Sequence, residues 1–239
     1  MKIHKFIDDF DLSKEILEIT GGIAKQMALV LKLEIGEKVE LCDGKGISAI
    51  AEIAKIDKKN VNVKILKITQ NKKSSKEVTL CCAILKKENF ELVVQKTTEC
   101  GISKIVPIIS ERTIKTGLNM ERLQKIAKEA SEQSGRTTIP EISEPITFNE
   151  ALELVKNNSN ILFDSSGENY ERISNDKSPS ANIAEFSKTN IFIGPEGGWT
   201  PKEIKKAKEN NFSIATLGSL TLRGETAAII ATYLISNLN

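Results

Sequence analysis

The stretch that decides the fold reads IFIGPEGGWTPKEI at residues 191–204 and, further on, LGSLTLRGETAAIIATYLI at residues 217–235. The apolar residues 191–193 stop at Gly-Pro-Glu-Gly-Gly, which is typical of a buried parallel strand that ends in a sharply bent loop. Thr200 with Pro201 and Glu203 then predicts the start of a helix closed by a capping box. The sequence thus predicts a strand, a glycine-rich loop and a helix in succession.

A second glycine-bearing loop follows the next predicted strand, residues 212–217. This loop, residues 218–222, leads into a closing helix that begins near Arg223. Because ligands of α/β sheets bind at the carboxyl ends of the strands, we expect the two loops to form one site. Neither loop matches GxxxxGK[ST] or GxGxxG, and Glu196 would repel a polyphosphate. The two loops therefore favour a neutral or positively charged ligand, although the first loop alone is also compatible with simple turn chemistry.

Upstream of these loops, strands and helices alternate. This rhythm is typical of a mainly parallel sheet covered by helices on both faces. The predicted strands are 78–85, 104–109 and 161–163, the helices are 89–99, 119–134 and 148–156, and a polar loop covers 164–179.

The N-terminal third has a different pattern. Short strands separated by turn residues predict a small β-barrel with one helix, which ends near Leu31. The predicted strands are 2–7, 39–41, 47–56 and 61–68. Residues 71–76 lack apolar side chains and indicate a linker. We therefore predict two domains, 1–72 and 76–239.

The charge of the chain is unevenly distributed. Its 239 residues carry a net charge of +2. Residues 1–76 contain 15 Lys/Arg against 11 Asp/Glu, whereas the remainder contains 19 against 21. The basic excess indicates that the N-terminal part contacts phosphate, and a chance difference is the alternative.

Several protein classes are disfavoured by the sequence. The N-terminus lacks the apolar core of a signal peptide, and the longest apolar stretch is far below the ~20 residues that span a bilayer. The four cysteines lack CxxC spacing and His4 is the single histidine, so we expect no metal site and no disulfide framework. We predict a cytoplasmic protein in which Cys81 and Cys82 are reduced core residues.

The two C-terminal loops together resemble the signature of the SPOUT methyltransferases, whose chain forms a trefoil knot that binds S-adenosylmethionine. VVQKTTECGISKIVPIISERT at 93–113 and EASEQSGRTTIPEI at 129–142 are similar to stretches of the RsmE branch of that superfamily. The pattern around residues 31–44 resembles the PUA-like barrel of the same branch. The resemblance covers nearly the whole chain.

This resemblance implies an S-adenosylmethionine-dependent enzyme that methylates N3 of a uridine in 16S ribosomal RNA, within the small ribosomal subunit. It also implies a homodimer that pairs through a C-terminal knotted α/β domain. The family commonly has histidines near Lys25 and Gln26, and an arginine at Lys32. Its usual arginine and threonine in the last motif are replaced by Leu220 and Gly224. These departures affect the expected RNA contacts.

The cofactor residues implied by the resemblance lie in and after the two loops. Loop backbone groups would hold adenine and ribose, and apolar side chains would pack around the adenine. The expected set is Ile193, Gly194, Pro195, Glu196, Gly197, Gly198, Leu217, Gly218, Leu220, Leu222 and Ala227.

The candidate catalytic residues are Arg223 and Glu225. Uridine N3 carries a proton at neutral pH, so a cation that stabilises the developing oxyanion at O2 or O4 would assist methylation. Arg223, next to a helix N-terminus, is the best candidate for that cation. Glu225 is a candidate base for the N3 proton. Alternatively, Arg223 is a surface residue and Glu225 only complements the helix dipole.

Basic side chains elsewhere are candidates for RNA contacts, with a solvated surface as the alternative. They are Lys5, Lys25, Lys32, Arg112 and Arg136. Trp199 either stacks on a base or covers the core.

Three other functions stay open at this point. A SPOUT ribose 2′-O-methyltransferase acting on rRNA or tRNA would use the same cofactor loops. A non-catalytic RNA-binding protein would keep the barrel but not bind S-adenosylmethionine. A nucleotide-dependent α/β enzyme would need phosphate-binding residues that the loops lack.

Overall fold

The computed structural model describes residues 3–57, 59–70, 76–114, 116–156, 158–171 and 188–237. The chain divides into two compact units. One comprises Met1–Lys73 with Ser131–Ile139, and the other comprises Ser74–Ala130 with Pro140–Asn239. The predicted boundaries, 1–72 and 76–239, did not anticipate that residues 131–139 group with the N-terminal unit, and they stay a prediction.

The first unit is a five-stranded sheet in the order β1-β3-β4-β5-β2. Strands β1 and β3 are parallel and the other pairs are antiparallel. A one-turn helix, α1, continues into a π-helix, and both elements bury residues in the core of this unit. The bounds are β1 His4–Ile7, β2 Ile16–Ile19, α1 Gly21–Lys25, the π-helix Gln26–Val30, β3 Lys38–Cys42, β4 Ile47–Ile56 and β5 Val61–Gln70. Strand β2 was not predicted because its sequence, ILEI, does not alternate apolar and polar residues.

The segment 131–139 belongs to the first unit through hydrogen bonds with β1 and the β3–β4 turn. The Glu132 carboxylate accepts from the backbone N–H of Ile7 at 2.8 Å, and the Lys5 ammonium donates to the Gly135 carbonyl at 2.7 Å. The Ile139 N–H donates to the Gly44 carbonyl at 3.2 Å. Partners so far apart in sequence leave no local pattern, so the sequence did not indicate this packing.

The second unit is a parallel sheet in the order β12-β10-β11-β6-β7-β8, with β9 also paired to β7. The predicted α/β class, with a mainly parallel sheet and a small N-terminal antiparallel sheet, is confirmed. The strands are β6 Glu77–Ala83, β7 Lys104–Ile109, β8 Glu141–Ile142, β9 Ile146–Thr147, β10 Ser159–Asn169, β11 Lys188–Ile193 and β12 Ser213–Thr216. The helices are α2 Lys87–Glu99, α3 Met120–Ser134, α4 Phe148–Leu154, α5 Pro201–Glu209 and α6 Gly224–Asn237.

Aromatic side chains fill one side of this parallel sheet. The ring of Phe192, on β11, meets Phe212 edge-on at 4.9 Å and Phe148 at 6.3 Å between centroids. Cys81 and Cys82 are buried free thiols on the neighbouring strand, as predicted, and burial raises the pKa of both. A thiol that is buried and held protonated is unreactive. These cysteines therefore contribute to the packing of the core.

Strand β10 corrects one prediction. The loop expected at 164–179 is wrong for residues 164–169, which continue the strand along β12 after a register shift between Phe163 and Glu168. A Cβ at Gly167 would lie 2.6 Å from the backbone of Ala215, so only glycine permits this approach of the two strands. Polar composition alone could not reveal such an irregular pairing. Residues 172–179 lie outside the described residues.

Helix α5 begins with the predicted capping box, and its Glu203 also makes a long-range bond. The Thr200 hydroxyl accepts from the Glu203 N–H at 3.3 Å, and the Glu203 carboxylate accepts from the Thr200 N–H at 2.8 Å. The other carboxylate oxygen accepts from the backbone N–H of Glu111 at 3.0 Å, just after β7. Because this carboxylate is buried, both N–H groups depend on it.

We expect Glu203→Ala to lower the free energy of unfolding by about 2–3 kcal/mol, because it removes the side-chain half of the capping box and leaves the N–H groups of Thr200 and Glu111 unpaired. Glu209→Ala, at the exposed end of the same helix, is the control and should change stability by less than about 0.5 kcal/mol. Chemical denaturation measures both values. Equal effects of the two substitutions would contradict the role assigned to Glu203.

No helix in the described ranges is both long and apolar enough to cross a membrane. Within the same ranges, no group of three or more His, Cys, Asp or Glu side chains is arranged to hold a metal ion.

Candidate functional site

The two glycine-bearing loops meet at one pocket of the second unit. Strand β11 ends at Ile193 and β12 ends at Thr216, and the loops that follow line an open pocket of about 570 Å³. This pocket is called the loop pocket below. The two loops thus lie together at one edge of the sheet, as the sequence predicted.

Most of the predicted cofactor residues line the loop pocket. They are Ile193, Gly194, Pro195, Glu196, Gly198, Leu217, Leu220, Leu222 and Ala227. Gly197 and Gly218 do not line it. A Cβ at Gly197 would instead meet the Arg112 side chain at 3.3 Å, and Gly218 has a φ of +135° that only glycine adopts readily. These two glycines therefore shape the loops and do not face the pocket.

The first loop is bent by a tight turn. The Gly198 N–H donates to the Pro195 carbonyl at 2.8 Å, and Gly198 has a φ of +68°. A Cβ on Gly194 would lie 3.1 Å from the indole of Trp199, so the strand end packs directly on that ring. The Trp199 indole N–H donates to the Phe163 carbonyl at 3.1 Å, and only 4% of the residue is exposed. Trp199 therefore covers the core, and a free face for stacking on a base is not available.

The Glu196 carboxylate ties the first loop to helix α2. It accepts a hydrogen bond from the backbone N–H of Lys86 at 3.1 Å. Lys86 is the N-cap residue of α2, so the carboxylate lies where the helix dipole favours negative charge. The loop is thus held at one end of α2 by a side chain that also lines the pocket.

Arg223 and Glu225 both line the loop pocket and differ in exposure. The Arg223 side chain is 85% exposed, whereas that of Glu225 is 10% exposed. One guanidinium nitrogen lies 4.0 Å from the first carboxylate oxygen of Glu225. The second carboxylate oxygen is buried and has no hydrogen-bond partner among the described residues. A buried carboxylate oxygen without a partner is uncommon in proteins and marks Glu225 as a candidate functional group.

The charges around the loop pocket suit a cationic ligand. Its lining contains three carboxylates, Asp164, Glu196 and Glu225, against the two cations Lys86 and Arg223. Burial, and then the charges of Glu196 and Glu225, raise the pKa of the adjacent Cys82 thiol. The negative field of Glu196 and Glu225 therefore extends to the buried thiol on β6.

Other lining residues were not predicted from the sequence. They are Lys86, Asn89, Phe163, Asp164, Ser165, Thr216, Thr221 and Gly224. The sequence could have indicated two of these residues, because Lys86 and Asp164 directly follow the predicted strands 78–85 and 161–163. The carboxyl ends of those parallel strands lie at the same edge of the sheet.

The predicted RNA-contacting residues differ in availability. The Lys5 side chain is 12% exposed and pairs with Glu40 at 3.2 Å, in addition to its bond with Gly135. Lys25 and Lys32 are exposed, and Lys32 has a φ of +52°. Arg136 is half-buried, and burial lowers the pKa of its guanidinium. Lys5 thus serves the internal packing of its unit, while Lys25 and Lys32 face solvent.

Arg112 lies at the surface of the second unit, directly after β7. Its guanidinium donates to the Gly197 carbonyl at 2.6 Å, so it holds the glycine-rich loop from outside. The sequence placed Arg112 next to a strand end but could not show this bond.

Lys96 and Glu99, on α2, form an ion pair with each other at 2.9 Å.

Comparisons with known proteins match both units. An RNA methyltransferase domain matches residues 72–236, and an RNA methyltransferase PUA domain matches residues 19–66. Ribosomal RNA small subunit methyltransferase E of Rickettsia conorii is 35% identical over 203 residues, covering 84% of this chain and 81% of the relative.

Solved structures agree over almost the whole chain. Ribosomal RNA small subunit methyltransferase E from Neisseria gonorrhoeae, bound to S-adenosylmethionine, has a TM-score of 0.88 at 28% identity, covering 99% of this chain and 98% of that chain. A protein of Legionella pneumophila in complex with the same cofactor has a TM-score of 0.83 at 26% identity, covering 98% and 97%.

Proposed function

This chain belongs to the ribosomal RNA small subunit methyltransferase E family, and we propose that it transfers a methyl group from S-adenosylmethionine to N3 of a uridine in 16S ribosomal RNA. It is an S-adenosylmethionine-dependent rRNA methyltransferase. The observation that carries the proposal is the loop pocket, in which two loops at parallel strand ends meet beside an exposed arginine and a buried carboxylate.

The residues of the loop pocket fit this cofactor. Leu217, Leu222 and Ile193 offer apolar surface for an adenine ring, and the backbone of both loops supplies donors and acceptors. The excess of carboxylates over cations matches the positive charge of a sulfonium. When bound, S-adenosylmethionine supplies a methyl group that is already activated for transfer. The task left to the protein is to align the acceptor with that methyl group.

Arg223 is placed to act on the acceptor base. Removal of the N3 proton leaves negative charge on the uridine carbonyl oxygens, and a guanidinium at the pocket rim can stabilise it. Because the Arg223 side chain is largely exposed, it does not have to break a strong bond within the protein before it contacts the base. The first turn of α6, which follows directly, adds positive potential.

Glu225 is the candidate acceptor of the N3 proton. We expect Glu225→Gln to lower kcat about 10²- to 10⁴-fold near neutral pH, since the amide cannot take the proton. Its rate should rise with pH as uridine ionises without help. A pH–rate profile between about pH 6 and 10 measures this, with Glu196→Gln as a variant that removes a different carboxylate of the same pocket. Wild-type kcat in Glu225→Gln would remove Glu225 from the reaction.

Several family properties belong to the same proposal. Helix α6 packs against α2, β6 and β11, and a Cβ at Gly224 would meet Leu85 at 2.9 Å. This close packing supports a threaded trefoil knot at this point.

Exposed apolar residues on α2 and α6, including Leu92 and Tyr233, support pairing of two copies through these helices. The PUA-like unit, with Lys25 and Lys32 exposed, would contact RNA of the small ribosomal subunit in the cytoplasm.

Mapping of methylated nucleosides tests the proposed reaction. 16S ribosomal RNA from a strain that lacks the gene should lose one N3-methyluridine, and the purified enzyme with S-adenosylmethionine should restore it. Nucleoside mass spectrometry separates this product from a ribose 2′-O-methylated nucleoside. Restoration of a 2′-O-methyl group, or of no methyl group, would contradict the proposal.

A further inference from the structure

We propose that a second pocket of the catalytic unit binds phosphodiester groups of the RNA substrate through Arg112, Lys205 and Lys208. This pocket, called the cationic pocket below, has a volume of about 720 Å³. The inference rests on the proposed function, because it assigns the position of the RNA backbone next to the cofactor.

The charge of the cationic pocket is opposite to that of the loop pocket. Its lining contains three cations against one carboxylate, Asp164. One oxygen of that carboxylate accepts from the N–H of Ser166 at 2.9 Å and from its hydroxyl at 2.6 Å, and the lining keeps an excess of two cations. The two pockets share Asp164, Ser165, Gly198 and Trp199, so they are neighbours on one surface. The positively charged cofactor would therefore bind in the loop pocket, and the negatively charged RNA backbone would bind in the neighbouring cationic pocket.

The three cations are available to an anion. Arg112 uses one guanidinium nitrogen for the Gly197 carbonyl, and no carboxylate of the described chain lies within ion-pair distance of it. Its remaining N–H groups are suited to a phosphate. Lys205 has only a loose pair with Glu209 at 3.9 Å between exposed side chains, which contributes little. Lys208 has no ion pair within the described residues.

The geometry links the cationic pocket to the methylation site. Lys205 and Lys208 are three residues apart on α5, so they share one face of that helix. Gly198 and Trp199 line both pockets and lie between them. Arg112 holds the adjoining Gly197 through the hydrogen bond to its carbonyl. A phosphodiester bound here would fix the register of the RNA strand beside the methyl donor, while base contacts select the uridine.

A matched pair of double variants tests this site. Lys205→Ala/Lys208→Ala removes two charges from the cationic pocket, and Lys202→Ala/Lys206→Ala removes two from the same helix outside it. Binding of 16S ribosomal RNA is titrated at several salt concentrations. We expect the first variant to bind about tenfold more weakly and to reduce the slope of log K against log salt by about 1–2, since each lost phosphate contact removes roughly 0.7–0.9. The second variant should keep the wild-type slope.

Calorimetry with S-adenosylmethionine separates the two proposals. Lys205→Ala/Lys208→Ala should bind the cofactor as the wild type does, whereas Arg112→Ala should weaken both ligands because it also releases the loop. Equal losses of RNA affinity in the two double variants, or none in the first, would overturn the cationic pocket. A wild-type enzyme that still forms N3-methyluridine would in that case leave the proposed function intact. A wild type that binds RNA through this pocket but forms no N3-methyluridine would refute the proposed reaction alone.

Discussion

Arg223→Ala should lower kcat about 10²- to 10³-fold, the effect typical of removing one preorganised donor to a developing oxyanion. The affinity for S-adenosylmethionine should stay within a few-fold of the wild type, because the guanidinium is 85% exposed at the pocket rim. The nearest carboxylate oxygen among the described residues, on Glu225, lies 4.0 Å from its guanidinium, so the fold does not depend on this pair. The measurement is single-turnover methylation of 16S ribosomal RNA, with calorimetry for the cofactor.

Arg122→Ala is the matched control for this prediction. Arg122 is an exposed arginine on α3 that forms a two-pronged pair with Glu91 at 2.7 Å, and it does not line the loop pocket. Its loss should leave kcat unchanged within about twofold, as expected for a surface pair. Wild-type kcat in Arg223→Ala would exclude Arg223 from the chemistry. A loss that appears only in cofactor affinity would assign Arg223 to binding.

Gly194→Val should weaken S-adenosylmethionine binding about 10- to 100-fold. The Cβ of the new valine would lie 3.1 Å from the Trp199 indole. Its two methyl groups would then either press on the indole ring or occupy part of the loop pocket. Overpacking of this kind costs about 1–3 kcal/mol, which corresponds to roughly this loss of affinity. Isothermal calorimetry gives the dissociation constant, and a thermal melt shows whether the variant remains folded.

Gly117→Ala is the control, because a Cβ there meets nothing within 4 Å. It should leave both the melting temperature and the cofactor affinity unchanged. Gly194→Ala is a milder variant that preserves the fold if the valine does not. A folded Gly194→Val protein with wild-type affinity would show that the cofactor does not bind at the end of β11.

The sequence determined much of the local structure of both units. Residues 47–56 and 104–109 were predicted with the bounds that the structure has, and the capping box at Thr200 and Glu203 is present. These features depend on apolar periodicity and on partners within one helical turn. The fold class, the methyltransferase activity and the cofactor also followed from the two glycine-bearing loops and the resemblance that they carry. Strand β2 was not predicted because ILEI does not alternate apolar and polar residues, and β8 was not predicted because two residues show no period.

The tertiary structure alone decided which side chains support the loops. Glu196 with Lys86, Arg112 with Gly197 and Glu203 with Glu111 are separated by 110, 85 and 92 residues. Each of these bonds joins a side chain to a backbone group, and backbone groups are the same at every position, so no residue pattern marks the partner. The sequence therefore determined that two bent loops follow parallel strands, and it predicted that these loops bind a methyl donor. Only the packed sheet, which brings distant strand ends within hydrogen-bond distance, decided which residues hold those loops and gave the adjoining pockets opposite charge.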